Sequence, residues 1–378
     1  MSEWKEVRLG DFMEFNPKES LKKGTLAKKV TMDMLVPHSR DINSYVVEPY
    51  SGGAKFRNGD TIMARITPCL ENGKHAFVSF LDDKEVAYGS TEYIVMRGKD
   101  GVSDNLFVYY LTHSPLFKAT AIKSMVGSSG RQRAQVEVLQ NLMISVPDTI
   151  NEQIHLASIL SSLDSKIENN RKICANLEAQ AQALFKHWFI DFAPFKDGKF
   201  VESELGMIPE GWRVGKLGEL IEIKYGKDHK KLKEGAIPAY GSAGLMRYVD
   251  SSLYKGESIL IPRKGTLNNV MLVNEAFWTV DTMFYTIPKY EHLLKYVFLK
   301  LSRIDFTKLN VGTSIPSNST DQLNKMAIVI PPKNVLKTFD ELLNGIFVLK
   351  KHKIEESARL ASLRDTLLPK LMSGEIKV

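Results

Sequence analysis

The stretch that decides the fold is WKEVRLGDFMEF at Trp4–Phe15, because the chain repeats it as WRVGKLGELIEI at Trp212–Ile223. Trp, Leu, Gly and Glu stand at matching positions in both copies, and the apolar and charged classes between them agree. Self-similarity over such a distance is typical of a duplicated structural unit. The sequence therefore predicts two related units rather than one continuous domain.

Three more pairs of segments follow in the same order along the chain. The matches are GDTIM at Gly59–Met63 with GESIL at Gly256–Leu260, Val126–Ser129 with Val311–Ser314, and Leu139–Pro147 with Leu323–Pro331. The first of these pairs has the form of a strand that begins after a turn glycine. A constant order of matches supports duplication of the whole unit.

A long helical pattern closes each repeat, with spacings of three and four residues that are typical of a coiled-coil seam. The predicted seam positions of the first helix are Leu156, Leu160, Leu163, Ile167, Asn170, Leu177 and Leu184, and those of the second are Phe339, Leu342, Ile346, Leu349, Leu360, Leu363 and Leu367. Polar Asn170 in the first helix, and Lys353 with Glu356 in the second, could fix the register of the pair. Two amphipathic helices in ordinary cores are the alternative.

Two matched helices, each following its own globular unit, are expected to pair with each other in antiparallel orientation. The predicted domains are a first globular unit at 1–149, a central helix at 150–200, a second globular unit at 201–332 and a C-terminal helix at 333–378. Pseudo-twofold symmetry would place the globular units at opposite ends of the helix pair. The expected shape is a dumbbell.

Both globular units mix short strands with helices, so the predicted fold class is α+β, with two globular α/β units joined by an antiparallel coiled coil. Strands are predicted at Thr61–Ile66, Ala76–Leu81 and Tyr93–Met96, and at Ser258–Ile261, Val270–Val273 and Met283–Ile287. Helices are predicted over Asn105–Met125, with a break near Pro115, and from about His292 to Ser302.

The composition narrows the class of protein. Among 378 residues, 51 Lys and Arg against 44 Asp and Glu give a net charge of +7, which favours a polyanionic partner, although many basic proteins bind none. No apolar run approaches the ~20 residues of a membrane span, and no leader is apparent, so we expect a cytoplasmic protein. Cys69 and Cys174 form no Cys-x-x-Cys pair, which argues against a disulfide framework or a cysteine zinc site.

Motifs for catalysis are missing from the sequence. Asn16–Glu19 lacks the second proline and the aromatic residue of an adenine methyltransferase loop, and Gly127–Arg131 lacks the ending of a phosphate-binding P-loop. Glu210 followed by Glu222 and Lys224 imitates the acidic pattern of a magnesium nuclease, but the first repeat has Asn16 where Lys224 stands. We therefore predict a non-catalytic chain with no metal site.

Lysines crowd one early loop of each unit. The first cluster is Lys18, Lys22, Lys23, Lys28 and Lys29, and the second is Lys224, Lys227, Lys230, Lys231 and Lys233. Lysines so placed can neutralise DNA phosphates, which gives affinity without sequence information. A merely solvated charged face is the alternative for either cluster.

Reading of bases requires side chains that donate or accept hydrogen bonds in the major groove. The candidates lie in turn-rich stretches and are Arg65, Asn72 and Lys74, then Arg131 and Arg133 after a Gly-Ser-Ser-Gly turn, and Tyr240, Ser242, Arg263, Lys264, Asn268 and Asn269. For each of them a role in a turn or at a strand end is equally open.

ARITPCLENGK at Ala64–Lys74 resembles the target-recognition domain of the DNA-specificity subunits of type I restriction-modification systems. IPAYGSAGLMRY at Ile237–Tyr248 and GTLNNVMLVNEAFWTVDTMFY at Gly265–Tyr285 resemble a second version of it. ALFKHWFIDFAPF at Ala183–Phe195 and LRDTLLPKLMSGEI at Leu363–Ile376 look like the ends of that family's helices. The resemblance spans nearly the whole chain, although Val335–Thr338 departs from the family's usual helix start.

The resemblance implies that each globular unit reads one half of a split, asymmetric double-stranded DNA site. It implies that the helix pair acts as a ruler, and a seam of ~35 residues at ~1.5 Å each is ~50 Å long, against ~34 Å for one DNA turn. It also implies two methyltransferase subunits that supply S-adenosylmethionine and methylate adenine, a nuclease and translocase subunit for restriction, and no cofactor on this chain.

Two alternatives stay open from the sequence. A decoy or regulatory protein would bind methyltransferase subunits without productive DNA targeting. An interaction scaffold would have no DNA role at all, and its lysine clusters would only be solvated.

Overall fold

The computed structural model of the protein describes residues 3–128, 130–310 and 317–376. The chain divides into two compact units: unit 1 holds Met1–Lys172 with Lys353–Val378, and unit 2 holds Ile173–His352. Each long helix therefore contributes one part to each unit, and the domain limits expected from sequence stay a prediction. Ser129 and the echo at Val311–Ser314 lie outside the described residues.

Unit 1 begins with a short strand, one helical turn and a second strand, and continues as a mixture of strands and helices. Its elements are β1 (Trp4–Arg8), α1 (Leu9–Phe12), β2 (Met13–Phe15), β3 (Leu26–Val30), β4 (Val46–Pro49), β5 (Lys55–Phe56), β6 (Thr61–Ala64), β7 (His75–Phe77), β8 (Ala87–Gly89), β9 (Tyr93–Gly98), α2 (Asn105–His113), α3 (Pro115–Lys123), α4 (Val136–Gln140), β10 (Met143–Pro147) and the start of α5 (Ile150–Phe189).

Unit 2 repeats that opening after a short hairpin. Its elements are the rest of α5, β11 (Phe200–Ser203), β12 (Gly206–Pro209), β13 (Arg213–Lys216), α6 (Leu217–Leu220), β14 (Ile221–Tyr225), β15 (Ile237–Gly241), β16 (Gly244–Val249), β17 (Tyr254–Pro262), β18 (Met271–Thr279), β19 (Met283–Pro288), α7 (Leu294–Leu301), α8 (Thr320–Lys325), β20 (Ala327–Ile330) and the first part of α9 (Lys333–Met372), whose last part belongs to unit 1.

The strand order confirms the internal repeat and the α+β class. One sheet of unit 1 runs β2-β9-β6-β7, and the sheet of unit 2 begins β14-β19-β17-β18 before adding β15 and β16. The strand that opens each repeat pairs antiparallel with the strand before the long helix, β1 with β10 and β13 with β20. In both units, apolar side chains of the opening turn, such as Leu9 and Leu217, are fully buried.

The predicted elements are largely in place, and one needs correction. A break at Ser114 separates α2 from α3, whose first residue is Pro115, where a missing N–H costs nothing. The strand expected over Ala76–Leu81 ends at Phe77 instead. There the Asn58 side chain both accepts from the backbone N–H of Leu81 and donates to its carbonyl, in place of a neighbouring strand.

In unit 1, α5 and α9 meet through buried polar groups and run antiparallel. The Arg364 guanidinium contacts the Asp164 carboxylate at 2.6 Å, and Tyr110 donates to the same carboxylate at 2.7 Å. Six residues further along α5, Asn170 is fully buried and its Nδ2 donates to Glu356 at 3.0 Å and Ser357 at 3.3 Å. Asn170 thus lies at the interface of the two helices, as a residue that fixes register would.

In unit 2, the same two helices meet through aromatic rings. The ring of Phe189 lies 4.6 Å from that of Phe339 and 4.7 Å from that of Tyr296, measured between centroids. Trp212 of the repeated opening stretch packs on Phe189 at 5.8 Å. The tryptophan that opens the second repeat therefore packs against the end of α5 within unit 2.

On α5, the seven predicted seam residues are all withdrawn from solvent to some degree. Leu156, Leu160, Asn170 and Leu177 are buried, and Leu163, Ile167 and Leu184 are partly buried. On α9, Phe339 is buried and Ile346, Leu360 and Leu367 are partly buried.

Along α9, every second one of the predicted seam residues is wrong, because its side chain is exposed. Leu342, Leu349 and Leu363 are 47%, 43% and 47% exposed. The residue after each makes the contacts instead: Leu343 joins the apolar core, Lys350 contacts Glu178 of α5, and Arg364 contacts Asp164. Because Lys350 and Arg364 are polar, a search for apolar spacing selects the leucine that precedes each of them instead.

Candidate nucleic-acid interface

In unit 1, backbone hydrogen bonds gather three loops around Arg65, the residue that follows β6. The N–H of Arg65 donates to the carbonyl of Glu92 at 2.9 Å, and its own carbonyl accepts from the N–H of Ala134 at 2.8 Å. The N–H of Thr67 donates to the carbonyl of Gln132 at 3.0 Å. The loop that carries Arg65 is thereby held against the loop that carries Arg131 and Arg133.

Unit 2 builds the same arrangement around Arg263, the residue that follows β17. The N–H of Arg263 donates to the carbonyl of Thr282 at 2.8 Å, and its carbonyl accepts from the N–H of Asn318 at 3.0 Å. Arg65 and Arg263 therefore occupy equivalent backbone positions in the two repeats. We call them the paired arginines.

The predicted side chains of unit 1 are mostly engaged within the protein. Arg133 forms a bidentate ion pair with Glu92, with N–O distances of 2.6–3.0 Å, and the hydrogen bond lowers the pKa of Glu92. The partly buried Arg65 donates to the carbonyl of Ala134 at 2.9 Å, and Lys74 donates to that of Met32 at 2.6 Å. Asn72 and Arg131 are exposed.

The lysines of unit 1 fall into two groups. Lys28 pairs with Glu85 at 2.8 Å, a hydrogen bond that raises the pKa of Lys28, and Lys29 pairs with Glu48 at 2.7 Å. Lys22 and Lys23 are exposed, and neither forms an ion pair with any residue that the structure describes. Half of these four charges are therefore neutralised inside the unit.

The predicted base-reading residues of unit 2 converge in part. The Arg263 guanidinium lies 5.6 Å from the centre of the Tyr225 ring, and Asn269 donates to the carbonyl of Ser242 at 2.9 Å. Lys264 is exposed beside them. These residues present donors and an aromatic face from three neighbouring loops, a combination that suits contact with nucleic acid.

Two other candidates in unit 2 hold local structure. Tyr240 donates to Glu275 at 2.7 Å, and burial raises the pKa of its hydroxyl. Asn268 donates to Asp305 at 3.0 Å and accepts from the N–H of Phe306 at 2.8 Å. Hydrogen bonds from Thr307 and Asn268 lower the pKa of Asp305 to about 2.

The second lysine cluster is mostly free of ion pairs, although Asp228 and Glu234 lie among its lysines. Lys224 is paired with Glu222, whereas Lys227, Lys230 and Lys231 are exposed and form no ion pair within the described ranges. Arg247 of β16 crosses to this loop and donates to the carbonyls of His229 at 2.5 Å and Leu232 at 3.0 Å. We define the lysine loop as residues 226–236.

Sequence reasoning missed Tyr225 and Arg247. Tyr225 is 53% exposed at the end of β14, where the first repeat has Pro17, so a difference between the aligned repeats could have found it. Arg247 contacts residues well before it in the chain, and no local pattern signals that contact.

Other kinds of site are not evident in the part of the chain that the structure describes. Across residues 3–128, 130–310 and 317–376, no group of three or more His, Cys, Asp or Glu side chains is placed to hold a metal ion. No helix in those ranges is long and apolar enough to cross a membrane.

Comparisons with known proteins agree on one family. A family model for the type I restriction modification DNA specificity domain matches residues 1–179 and 209–356. The type I restriction enzyme MjaIX specificity subunit of Methanocaldococcus jannaschii is 29% identical over 308 residues, 74% of this chain and 71% of that protein. The HindI specificity subunit of Haemophilus influenzae is 23% identical over 472 residues, which cover all of both chains.

A solved structure has the same fold. The type I restriction-modification system S subunit from M. genitalium superimposes with a TM-score of 0.58 at 18% sequence identity, covering 98% of this chain and 96% of that one.

Proposed function

The chain belongs to the type I restriction-modification DNA specificity family, and on that premise we propose that each of its units reads one half of a bipartite, asymmetric DNA target. The chain is a specificity subunit, a non-catalytic DNA-recognition component. Its role is to select the site at which partner subunits act.

The observation that carries the proposal is one scaffold with two different surfaces. Both units share a strand order and a clamped arginine at an equivalent backbone position, Arg65 and Arg263. The side chains around these arginines differ: Glu92 and Arg133 in unit 1, against Tyr225 and Asn269 in unit 2. Since base identity is read by side chains in the grooves, different side chains on one scaffold suit two unlike half-sites.

The partners form the finer part of the proposal. Two methyltransferase subunits bind this chain and supply S-adenosylmethionine for adenine methylation, and a nuclease and translocase subunit joins them for restriction in the cytoplasm. The lengths of α5 and α9 set the number of unread base pairs between the half-sites. The DNA-contacting residues named above stay predictions within this scheme.

Co-expression tests the proposal. The chain is expressed with its cognate methyltransferase subunit in a host that lacks this modification, and methylated adenines are mapped across the genome. We expect one split motif with a fixed spacer, present only when this chain is included.

The control is the methyltransferase subunit alone, which we expect to leave the genome unmodified at that motif. A stable complex that methylates nothing new would contradict DNA targeting and favour a decoy. Failure to form any complex would instead favour an interaction scaffold.

A further inference from the structure

The β15–β16 hairpin of unit 2 exposes apolar side chains at the edge of its sheet. β16 is the last strand of the six-stranded sheet, and Leu245, Met246 and Tyr248 on it are 49%, 52% and 51% exposed. Edge strands ordinarily carry charge or are covered, because bare apolar edges associate with other molecules. This hairpin therefore has the character of a contact surface.

The hairpin also contains an irregularity that aims one of these side chains. Ala239 pairs with Arg247 and Tyr240 with Leu245, so Met246 is the extra residue of a β-bulge. A Cβ added to Gly241 would lie 2.4 Å from the sulfur of Met246, so this side chain lies directly over the glycine. Bulges re-aim side chains next to functional sites.

The charged side chains next to the hairpin indicate which kind of molecule binds it. Arg247 binds two carbonyls of the lysine loop and so holds unpaired Lys227, Lys230 and Lys231 beside β16. A surface that combines apolar side chains with a row of unpaired ammonium groups complements duplex DNA, which offers phosphates beside thymine methyl groups.

A second hairpin in the same unit shows that apolar exposure alone does not make this surface. The β11–β12 hairpin has Leu205 and Met207 at 47% and 54% exposure. Its neighbours are the carboxylates Glu202, Glu204 and Glu210. These charges would repel phosphates, so the two hairpins match in exposed apolar residues and differ in charge.

Resting on the function proposed above, we infer that the β15–β16 hairpin enters the major groove of the half-site that unit 2 reads. Leu245 and Met246 contact thymine methyl groups, and the lysine loop contacts the flanking phosphates. Arg247 is a positioning residue that holds the loop in place. The major groove is about 12 Å wide and admits a two-stranded β-ribbon, which fits a hairpin of this kind.

The first experiment changes the exposed tip and maps the methylated motif. Leu245→Ser with Met246→Ser is co-expressed with the methyltransferase subunit, and the matched control is Leu205→Ser with Met207→Ser on the acidic hairpin. We expect the first variant to lose base preference at one or more positions of a single half-site. The control variant should methylate the wild-type motif.

The second experiment tests the positioning role of Arg247. Binding of the assembled complex to duplexes with the mapped motif, and to duplexes with its two halves scrambled, is measured from low to high salt for Arg247→Ala and Arg247→Lys. Arg247→Ala should flatten the salt dependence on both duplexes by about one to two phosphate contacts, at about 0.9 in log-log slope for each contact. Arg247→Lys should restore part of it, since a lysine can still donate to one carbonyl.

The outcomes separate this inference from the proposed function. If the wild-type complex methylates no motif, the proposed function fails and the hairpin has nothing to read. If wild type yields a split motif that the tip variant leaves unchanged, or if the tip variant relaxes both halves, groove reading by this hairpin is wrong while the specificity role stands. An unaltered salt slope in Arg247→Ala would overturn the positioning role.

Discussion

Units 1 and 2 share a scaffold but differ in side-chain chemistry at two places, the contact between α5 and α9 and the candidate nucleic-acid interface. Unit 1 docks α5 and α9 with a buried ion pair, Asp164 with Arg364, and unit 2 docks them with aromatic rings around Phe189. At the candidate interface, unit 1 neutralises Arg133 with Glu92. In unit 2, Lys227, Lys230 and Lys231 form no ion pair with a described residue, although Asp228 and Glu234 lie in the same loop. Duplicated units can thus keep backbone contacts while their side chains diverge.

This difference assigns separate tasks to the two surfaces. Ion pairs such as Arg133 with Glu92 hold side chains in one geometry, which favours discrimination between bases over gross affinity. Unpaired lysines give affinity that is independent of sequence and sensitive to salt. We therefore expect unit 2 to contribute more to phosphate binding.

The largest effect should come from breaking the buried ion pair of unit 1. Arg364→Ala leaves Asp164, which is 4% exposed, without its cation, and removal of one partner of a buried pair costs about 3–5 kcal/mol. Hydrogen exchange should show α2 of unit 1 losing protection while α7 of unit 2 keeps it. Urea unfolding measures the loss.

Two variants make that test specific. Arg359→Ala removes an exposed arginine of the same helix and should change stability by under about 0.5 kcal/mol. Asp164→Leu with Arg364→Leu should recover most of the loss, because apolar replacement of both partners removes the uncompensated charge. If this double variant is no better than Arg364→Ala, the loss comes from packing instead of charge.

Acid should weaken unit 1 before unit 2. His75 and His113 are stacked with their Nδ1 atoms 2.9 Å apart, and burial lowers the pKa of His113 to about 3 from 6.5. As the pH falls, His113 is therefore protonated in the unfolded chain before it is protonated in the folded chain. The contribution of neutral His113 to the free energy of unfolding is fully present above about pH 6.5, and about 2 kcal/mol of it is lost by pH 5.

Hydrogen exchange of α2 against α7 at pH 8 and pH 5 measures this loss. His113→Gln should reduce the acid sensitivity of α2, whereas His155→Gln, an exposed control on α5, should not. Equal acid sensitivity of α2 and α7 in the wild type would contradict the assignment to this histidine pair.

Salt dependence should separate the lysines of the two units. Lys227→Ala, Lys230→Ala and Lys231→Ala together should lower the slope of log affinity against log salt by about 2–3, or about 0.9 for each lost phosphate contact. Lys28→Gln with Glu85→Gln removes one positive and one negative group of unit 1 and should leave the slope nearly unchanged. Fluorescence anisotropy of the assembled complex with target DNA gives both slopes, and equal reductions would contradict the contrast.

The smallest effects should come from the leucines that lie outside the helix interface. Leu342→Gln, Leu349→Gln and Leu363→Gln should each change the free energy of unfolding by under about 0.5 kcal/mol. Leu343→Ala, one residue away from Leu342 and fully buried, should cost about 2–5 kcal/mol. Comparable losses at Leu342 and Leu343 would support the seam position that the sequence predicts at Leu342.

The repeat, the two long helices and the α+β class could be predicted because they depend on apolar periodicity and on matched segments. The phase of α9 could not, since Lys350 and Arg364 occupy interface positions that an apolar pattern leaves blank. For the candidate interface, the sequence identified the loops but not their internal partners. Glu92 neutralises Arg133 from a loop far away in the chain, and only the folded backbone brings the two together.

The measurement that tests the central claim most directly is a comparison of methylated motifs for Arg65→Ala and Arg263→Ala, each co-expressed with the methyltransferase subunit. Alanine keeps the backbone hydrogen bonds at both positions but removes the side-chain bond from Arg65 to the carbonyl of Ala134, and those from Arg263 to the carbonyl of Asp281 and to the Tyr225 ring. Each substitution should therefore disturb base contacts of its own unit only. We predict that one variant relaxes one half of the split motif and that the other variant relaxes the other half. Relaxation of the same half by both variants, or of both halves by either, would contradict the account.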